Sequence, residues 1–157
     1  MSDAPDPLDA FQAAYRADRE RFNPQDFDPL ELSAAAMESF NGGDIESLLK
    51  QFDPDVEWWP LRSATEGPYR GHAGIRAWIE ETSALFDFSR ASIDAAEWRG
   101  ETILADGELE LRGRQSGAAI QTRVTWLLEL KGDRVIWGRA FADRASALET
   151  LDERSSA

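Results

Sequence analysis

From Glu101 to Asp143 apolar and polar positions alternate along the chain. Leu109 and Leu111 sit between Glu108, Glu110 and Arg112, and Val124, Trp126 and Leu128 recur at every second position, the period of a half-buried strand. The stretch reads as three antiparallel strands in a meander with one apolar and one charged face. Ser116-Gly117 supplies a first turn and Lys131-Gly132-Asp133-Arg134 a second, because glycine takes the positive φ that tight hairpins need. A two-residue first turn pairs Leu111 with Thr122, Leu109 with Val124 and Glu110 with Arg123, so packing and charge agree. At the second turn, a three-residue loop sets Trp126 opposite Ala140 and Leu128 opposite Gly138, large against small. A two-residue turn would bring Trp137 and Phe141 inward instead. The first register is preferred, and it leaves Trp137, Arg139 and Phe141 on the outer face as an apolar patch suited to a dimer contact.

N-terminal to the meander the period changes to that of helices. Leu8, Phe11 and Tyr15 mark an amphipathic helix from Pro7 to about Phe22, and Asp28-Pro29 opens another that runs to about Phe40. Asp44 caps a shorter helix with Ile45, Leu48, Leu49 and Phe52 on one stripe. Val56 to Pro60 follows as a strand, confined by its proline to an edge or an end. Leu61 to Gly71 reads as a loop and a possible lid. His72 to about Phe86 is a helix whose broad stripe includes Ile75, Trp78 and Ile79. A further strand lies within Arg90 to Trp98, with Ile93 inward. Asp143 caps a last helix from Arg144 to Leu151, followed by a polar tail.

At 157 residues the chain is long enough for one well-buried core. Its formal charge of -13 argues against nucleic acid and anionic membrane surfaces as partners. The absence of an apolar run of spanning length or a signal-like N-terminus makes a cytoplasmic location the expectation. With no cysteine and a single histidine, His72, thiolate chemistry and Cys/His or clustered-histidine metal sites are excluded. No metal site and no cofactor are expected.

The order of the pieces carries a resemblance. A helix, Gly43-Asp44-Ile45-Glu46, a second helix, the Asp53-Pro54-Asp55-Val56-Glu57-Trp58-Trp59-Pro60 strand, Tyr69-Arg70-Gly71-His72-Ala73-Gly74-Ile75 opening a helix, and a meander ending in Phe141-Ala142-Asp143-Arg144-Ala145 resemble the SnoaL-like branch of the nuclear transport factor 2-like superfamily. The resemblance covers roughly 28–152, leaving 1–27 as an N-terminal extension with one helix and 153–157 as a flexible tail. It implies an α+β fold in which a cone-shaped, curved, mostly antiparallel sheet wraps around N-terminal helices, with a pocket at the open end. It also implies a homodimer, the state of many relatives.

The catalytic groups of those relatives do not carry over. The ketosteroid isomerase tyrosine falls on Ala36, its pre-proline aspartate on Trp59, and its oxyanion-hole aspartate near Val124 or Thr125. The arginine and the two aspartates of limonene epoxide hydrolase fall on Gly107, Leu109 and Ala140, and the acid/base aspartate of SnoaL-like cyclases also lands near Ala140. Each of those mechanisms needs a carboxylate to move a proton or orient water. The pocket side is expected to be lined by Leu109, Leu111, Val124, Trp126, Leu128, Gly138, Ala140 and Ala142, with Trp58 or Trp59 and Ile79 closing it. Such a lining suits a small hydrophobic ligand. It equally describes an ordinary filled core, in a non-catalytic dimeric interaction domain. Were the domain catalytic, isomerase, cyclase or hydrolase chemistry would follow from the resemblance, with Glu57, Glu110, Asp143 and His72 as the titratable groups to locate. Tyr69 and Ser63 could offer hydroxyls from the lid. Glu108, Glu110, Arg112 and Arg123 read as a charge lattice on the solvated face.

Overall fold

In the computed structural model of the chain, residues 6–61 and 67–156 are described. Five α-helices and six strands follow in the order α1 (Pro7–Ala17), α2 (Pro29–Asn41), α3 (Ile45–Gln51), β1 (Phe52–Trp59), β2 (Tyr69–Arg70), α4 (Gly71–Leu85), β3 (Phe86–Arg99), β4 (Thr102–Gly113), β5 (Ala119–Lys131), β6 (Arg134–Phe141) and α5 (Arg144–Ser156). The strands form one curved, unclosed sheet in the order β2-β1-β6-β5-β4-β3, antiparallel except where β1 runs parallel to β6. This is the α+β cone expected from the order of the elements. Asp6, Asp28 and Asp44 cap α1, α2 and α3 through their carboxylates, each accepting from a backbone N–H of the first turn.

The curvature has a local cause in β3. Its ladder with β4 slips twice, so that Asp87 and Asp94 are each an extra residue bulged out of the strand. Bulges bend and twist a strand. Each bulged carboxylate is held by an arginine, Asp87 by Arg112 at 2.8 Å and Asp94 by both guanidinium nitrogens of Arg123. The Arg123 guanidinium keeps the Asp94 carboxyl below the usual aspartate range. At the far edge Asn41 closes α2 against the bent strand: its side-chain amide donates to the Ala91 carbonyl and its oxygen accepts from the Ala91 N–H, both at 2.7 Å.

Alternation splits the side chains into two clusters. Ala91, Ile103, Ala105, Val124, Trp126, Leu128 and Ala140 face inward onto α1 to α4, with Phe11, Leu32, Leu48, Leu49 and Ile75. The N-terminal extension joins this core, since Phe11 is 2% exposed and meets Phe22 and Phe27 edge to face. On the convex face Leu104, Leu127, Trp137 and Phe141 lie under Ala147 and Leu151 of α5.

Several expectations are corrected here. The first hairpin closes over a longer turn, with Gly113 and Ala118 hydrogen-bonded, so Leu109 pairs with Thr122, Leu111 with Ile120 and Arg123 with Glu108 rather than Glu110. The shift is by two residues, and an even shift keeps every side chain on its face. At the second turn Lys131 pairs with Arg134 across two residues, and the ladder then slips at Ile136, which restores Trp126 to Ala140 and Leu128 to Gly138. A tight turn and the longer-loop register are therefore both present. α1 stops at Ala17, before Phe22, β3 starts at Phe86 rather than near Arg90, and α5 continues to Ser156 through the stretch that reads as a tail. Trp137 and Phe141 do lie on the outer face, but at 6% and 5% exposure under α5 they form no open patch for a dimer contact. The period of α5 is too weak in sequence for that cover to be seen. Arg139 stays between the rings of Trp59 and Phe141, 5.2 and 5.0 Å from their centroids.

Candidate ligand-binding cavity

Between the concave face of the sheet and the helices lies a cavity of about 210 Å³. The sheet contributes Ala91, Leu109, Leu111, Val124, Trp126 and Ala140, β1 and the turn after it contribute Trp58, Pro60 and Leu61, and Met37, Phe40, Trp78 and Thr82 come from α2 and α4. Trp78 organises the aromatic side, stacked on Phe40 with centroids 5.2 Å apart and tilted against Trp58 at the same distance. Gly138 explains how Trp58 reaches this position: a Cβ there would stand 2.8 Å from the indole ring, so only glycine on β6 lets the tryptophan lie flat across the strand.

Of the residues expected to line a pocket, Trp58, Leu109, Leu111, Val124, Trp126 and Ala140 meet at this cavity, and five do not. Gly138 lies beneath the Trp58 ring, which separates it from the cavity. Trp59 points to the convex face, because adjacent strand residues alternate, and its Nε1 donates to Glu57 at 2.9 Å. Ile79 packs against the core from α4 without reaching the cavity, and Leu128 lies deeper, beside Ile103 and Leu130 around a smaller void. Ala142 is exposed beyond the end of β6. Thr82 and Phe86 belong to the sheet-facing stripe expected for the helix from His72 to about Phe86, whereas Met37, Phe40 and Ser89 are not among the lining expected from sequence. The stripe of α2 and the Ser89 position inside a longer β3 are the signals that point to them.

Two polar atoms at this cavity are unusual. Trp58 Nε1 and Ser89 Oγ are buried and have no hydrogen-bond partner among the described residues. Trp58 is 4% exposed. A buried donor left unmade carries a penalty of about 1–3 kcal/mol, and native folds leave few of them. Thr82 is different, since its hydroxyl donates to the Trp78 carbonyl at 2.7 Å.

The titratable candidates all have other work. Glu57 Oε2 accepts from both Trp59 and Trp137 indoles and its Oε1 meets Arg70 at 2.8 Å, on the convex side. Glu110 is on the outer face opposite Gln121. His72 Nε2 lies 2.9 Å from the Phe52 carbonyl oxygen. The Tyr69 hydroxyl donates to Glu81. Ser63 lies outside the described residues. Among the described residues lining the cavity none titrates, and no group of acidic or histidine side chains with metal-binding geometry is found among the described residues.

Asp143 is a cap. It accepts from the Ser146 backbone N–H at 2.7 Å and from its hydroxyl at 3.1 Å, and those bonds, the backbone one first, hold its carboxyl below the ordinary 3.8. A carboxyl lowered in the fold stabilises it above the unfolded value and loses that contribution as pH falls through the folded value. The melting-temperature gap between wild type and Asp143→Ala is therefore expected to be open at neutral pH and to close in acid below 3.8. A gap that is constant with pH would remove the cap from the pH dependence.

The comparisons agree with this geometry. The model of the SnoaL-like domain family matches residues 33–137. The chain is similar in structure to TerC co-crystallised with polyporic acid (20% identity, 79% of this chain and 98% of that one, TM-score 0.64). It is also similar to IdmH, a putative polyketide cyclase from Streptomyces antibioticus (18% identity, 79% and 98% covered, TM-score 0.62). A hypothetical protein of ketosteroid isomerase-like fold from Catenulispora acidiphila, in complex with trimethylamine, matches at 16% identity over 75% and 88% of the two chains, with a TM-score of 0.63. No curated protein matches. At these identities the solved structures establish the fold, and the family match over well over half of the sequence establishes that the chain belongs to the SnoaL-like domain family.

Proposed function

We propose that this domain binds a small, flat, neutral and mostly apolar molecule that carries a hydrogen-bond acceptor, and that it does so in the concave cavity. The observation behind this reading is an aromatic and aliphatic lining interrupted by two unpartnered polar atoms, Trp58 Nε1 and Ser89 Oγ. An indole N–H can only donate and a serine hydroxyl can donate, so a ketone-type oxygen is the group that suits both. No cation is among the described lining residues to offset a carboxylate, which favours a neutral ligand. The volume is below the ~300–1,000 Å³ usual for drug-sized ligands, so one or two rings fit better than a four-ring steroid. That TerC holds polyporic acid and the Catenulispora protein trimethylamine supports small-molecule binding on this scaffold. Binding is placed before turnover, because proton transfer needs a titratable group at the reacting atom. A homodimer remains part of the proposal, with Phe88 and Ile120, 41% and 49% exposed on β3 and β5, as the side chains a second copy would cover.

The test compares 1-tetralone with tetralin, the same two rings without the ketone, by calorimetric titration. The ketone is expected to bind about tenfold more tightly, or about 1.4 kcal/mol. Trp58→Phe keeps an aromatic wall and removes the N–H, so the preference should shrink to about twofold, within a few tenths of a kcal/mol. Equal binding of both compounds to wild type would refute the acceptor. Binding of neither would refute the cavity as a site for molecules of this size.

A further inference from the structure

At the base of the cone, away from the cavity, five of the seven described basic side chains that make no ion pair come together; of the other two, Arg114 donates to the Ser83 carbonyl and Arg139 packs against the rings of Trp59 and Phe141. Arg16 and Arg19 from α1 and the turn after it, Lys50 from the end of α3, and Lys131 and Arg134 from the β5–β6 turn line one groove of about 440 Å³. None of the five makes an ion pair among the described residues, whereas Arg21, Arg70, Arg76, Arg90, Arg99, Arg112, Arg123, Arg144 and Arg154 each do. In a chain with 30 acidic against 17 basic residues, surface cations are easily paired. Five left unpaired in one place call for a separate explanation.

The groove also holds two carboxylates. Asp53 Oδ1 accepts from the Asp55 backbone N–H at 2.9 Å, and burial pushes the Asp133 carboxyl up against the opposing pull of Arg134, Arg16 and Arg19. Five cations over two carboxylates leave an excess of three positive charges. The groove is built rather than incidental: Gln12 Nε2 donates to the Lys50 carbonyl at 3.2 Å, tying α1 to α3, and Tyr15 packs over Gly132 so closely that a Cβ there would fall 2.7 Å from its ring.

We infer that this groove binds a compact phosphoanhydride or phosphate-ester anion, at a site separate from the apolar cavity. Guanidinium forks pair bidentately with phosphate oxygens, lysines add point charges, and an excess of three matches the charge of a pyrophosphate group. A long polyanion such as nucleic acid, or an anionic membrane, is repelled by the net charge of -13, while a small anion feels mainly the local field. Along β5, Val124 lines the cavity and Lys131 the groove, and their separation of about 23 Å at the rise of a strand keeps the two ligands apart. Gln12, Tyr15, Arg16 and Arg19 lie outside the matched 33–137, while Lys50, Asp53, Lys131, Asp133 and Arg134 lie within it, so the groove joins the N-terminal segment to the family domain.

Calorimetric titration of the full chain with inorganic pyrophosphate tests the inference. A dissociation constant of about 0.1 mM at low ionic strength is expected, weakening as salt is added. The Arg16→Gln/Arg134→Gln double variant should lose at least about tenfold, and Asp133→Asn should gain about twofold, since it removes a competing carboxylate. Arg90→Gln, whose partner is Glu38 on α2 and which does not line the groove, should change nothing. The inference is overturned by no binding at millimolar pyrophosphate, by an unchanged affinity in the double variant with its circular dichroism intact, or by citrate binding as tightly as pyrophosphate.

Discussion

Replacing Gly107 by alanine is expected to destabilise the fold by about 3 kcal/mol, at the upper end of what overpacking usually costs. Gly107 sits opposite Ile93 on β3, beside the bulge at Asp94, and a Cβ at this position would lie 1.8 Å from the Ser92 carbonyl oxygen and 2.9 Å from the Ile93 Cα. The obstruction is backbone, which cannot rotate away as a side chain can. β3 would have to part from β4 at the point where Arg123 anchors the bulge, and the curvature that makes the cavity depends on that anchor. For a chain of this length roughly 2–4 °C of melting temperature follow each kcal/mol, so a loss of about 6–12 °C is expected by calorimetry. A loss below 2 °C, about 1 kcal/mol or less, would mean that the bulge is not rigid. At Gly107, the position onto which the resemblance places the arginine of limonene epoxide hydrolase, β3 occupies the space that the first carbon of any side chain would need.

The inward face of the meander was legible because strand alternation survives an error of two residues. Leu109, Val124 and Trp126 reach the cavity although the first hairpin was placed in the wrong register. What sequence could not decide was any choice between neighbours that tertiary packing makes. Trp58 and Trp59 are equivalent in composition, and only the small Gly138 opposite selects Trp58 for the inside. Trp137 and Phe141 were placed on the correct side but read as uncovered, because the period of α5 is faint and its attachment is largely polar. Arg144 binds Glu97 at 2.9 Å and also Asp106, and Arg154 lies 3.7 Å from the centre of the Trp137 ring. Ser89 was missed for a related reason. Its strand begins four residues earlier than the alternation suggests, since the bulge at Asp87 breaks the period there. The positions onto which the resemblance places relatives' catalytic groups end up scattered. Ala36 borders the smaller void, Trp59 and Thr125 are on the convex side, and only Leu109, Val124 and Ala140 line the cavity.

Ala140→Phe is expected to have the largest effect on binding of any single change. Ala140 is 9% exposed on β6, opposite Trp126, and its methyl group faces the cavity. A phenyl ring there would take the space a ligand ring needs, and filling an existing hollow offsets most of the strain of a larger side chain. Stability should change by less than about 1 kcal/mol, while affinity for 1-tetralone should fall at least about thirtyfold, or about 2 kcal/mol. Parallel calorimetric titrations of wild type and Ala140→Phe with 1-tetralone, each first shown to melt cooperatively, test the central claim most directly. The expected result is saturable one-to-one binding to wild type near 0.1 mM and no measurable heat from the variant. Equal affinity for both proteins would place the ligand elsewhere and contradict the cavity as the binding site.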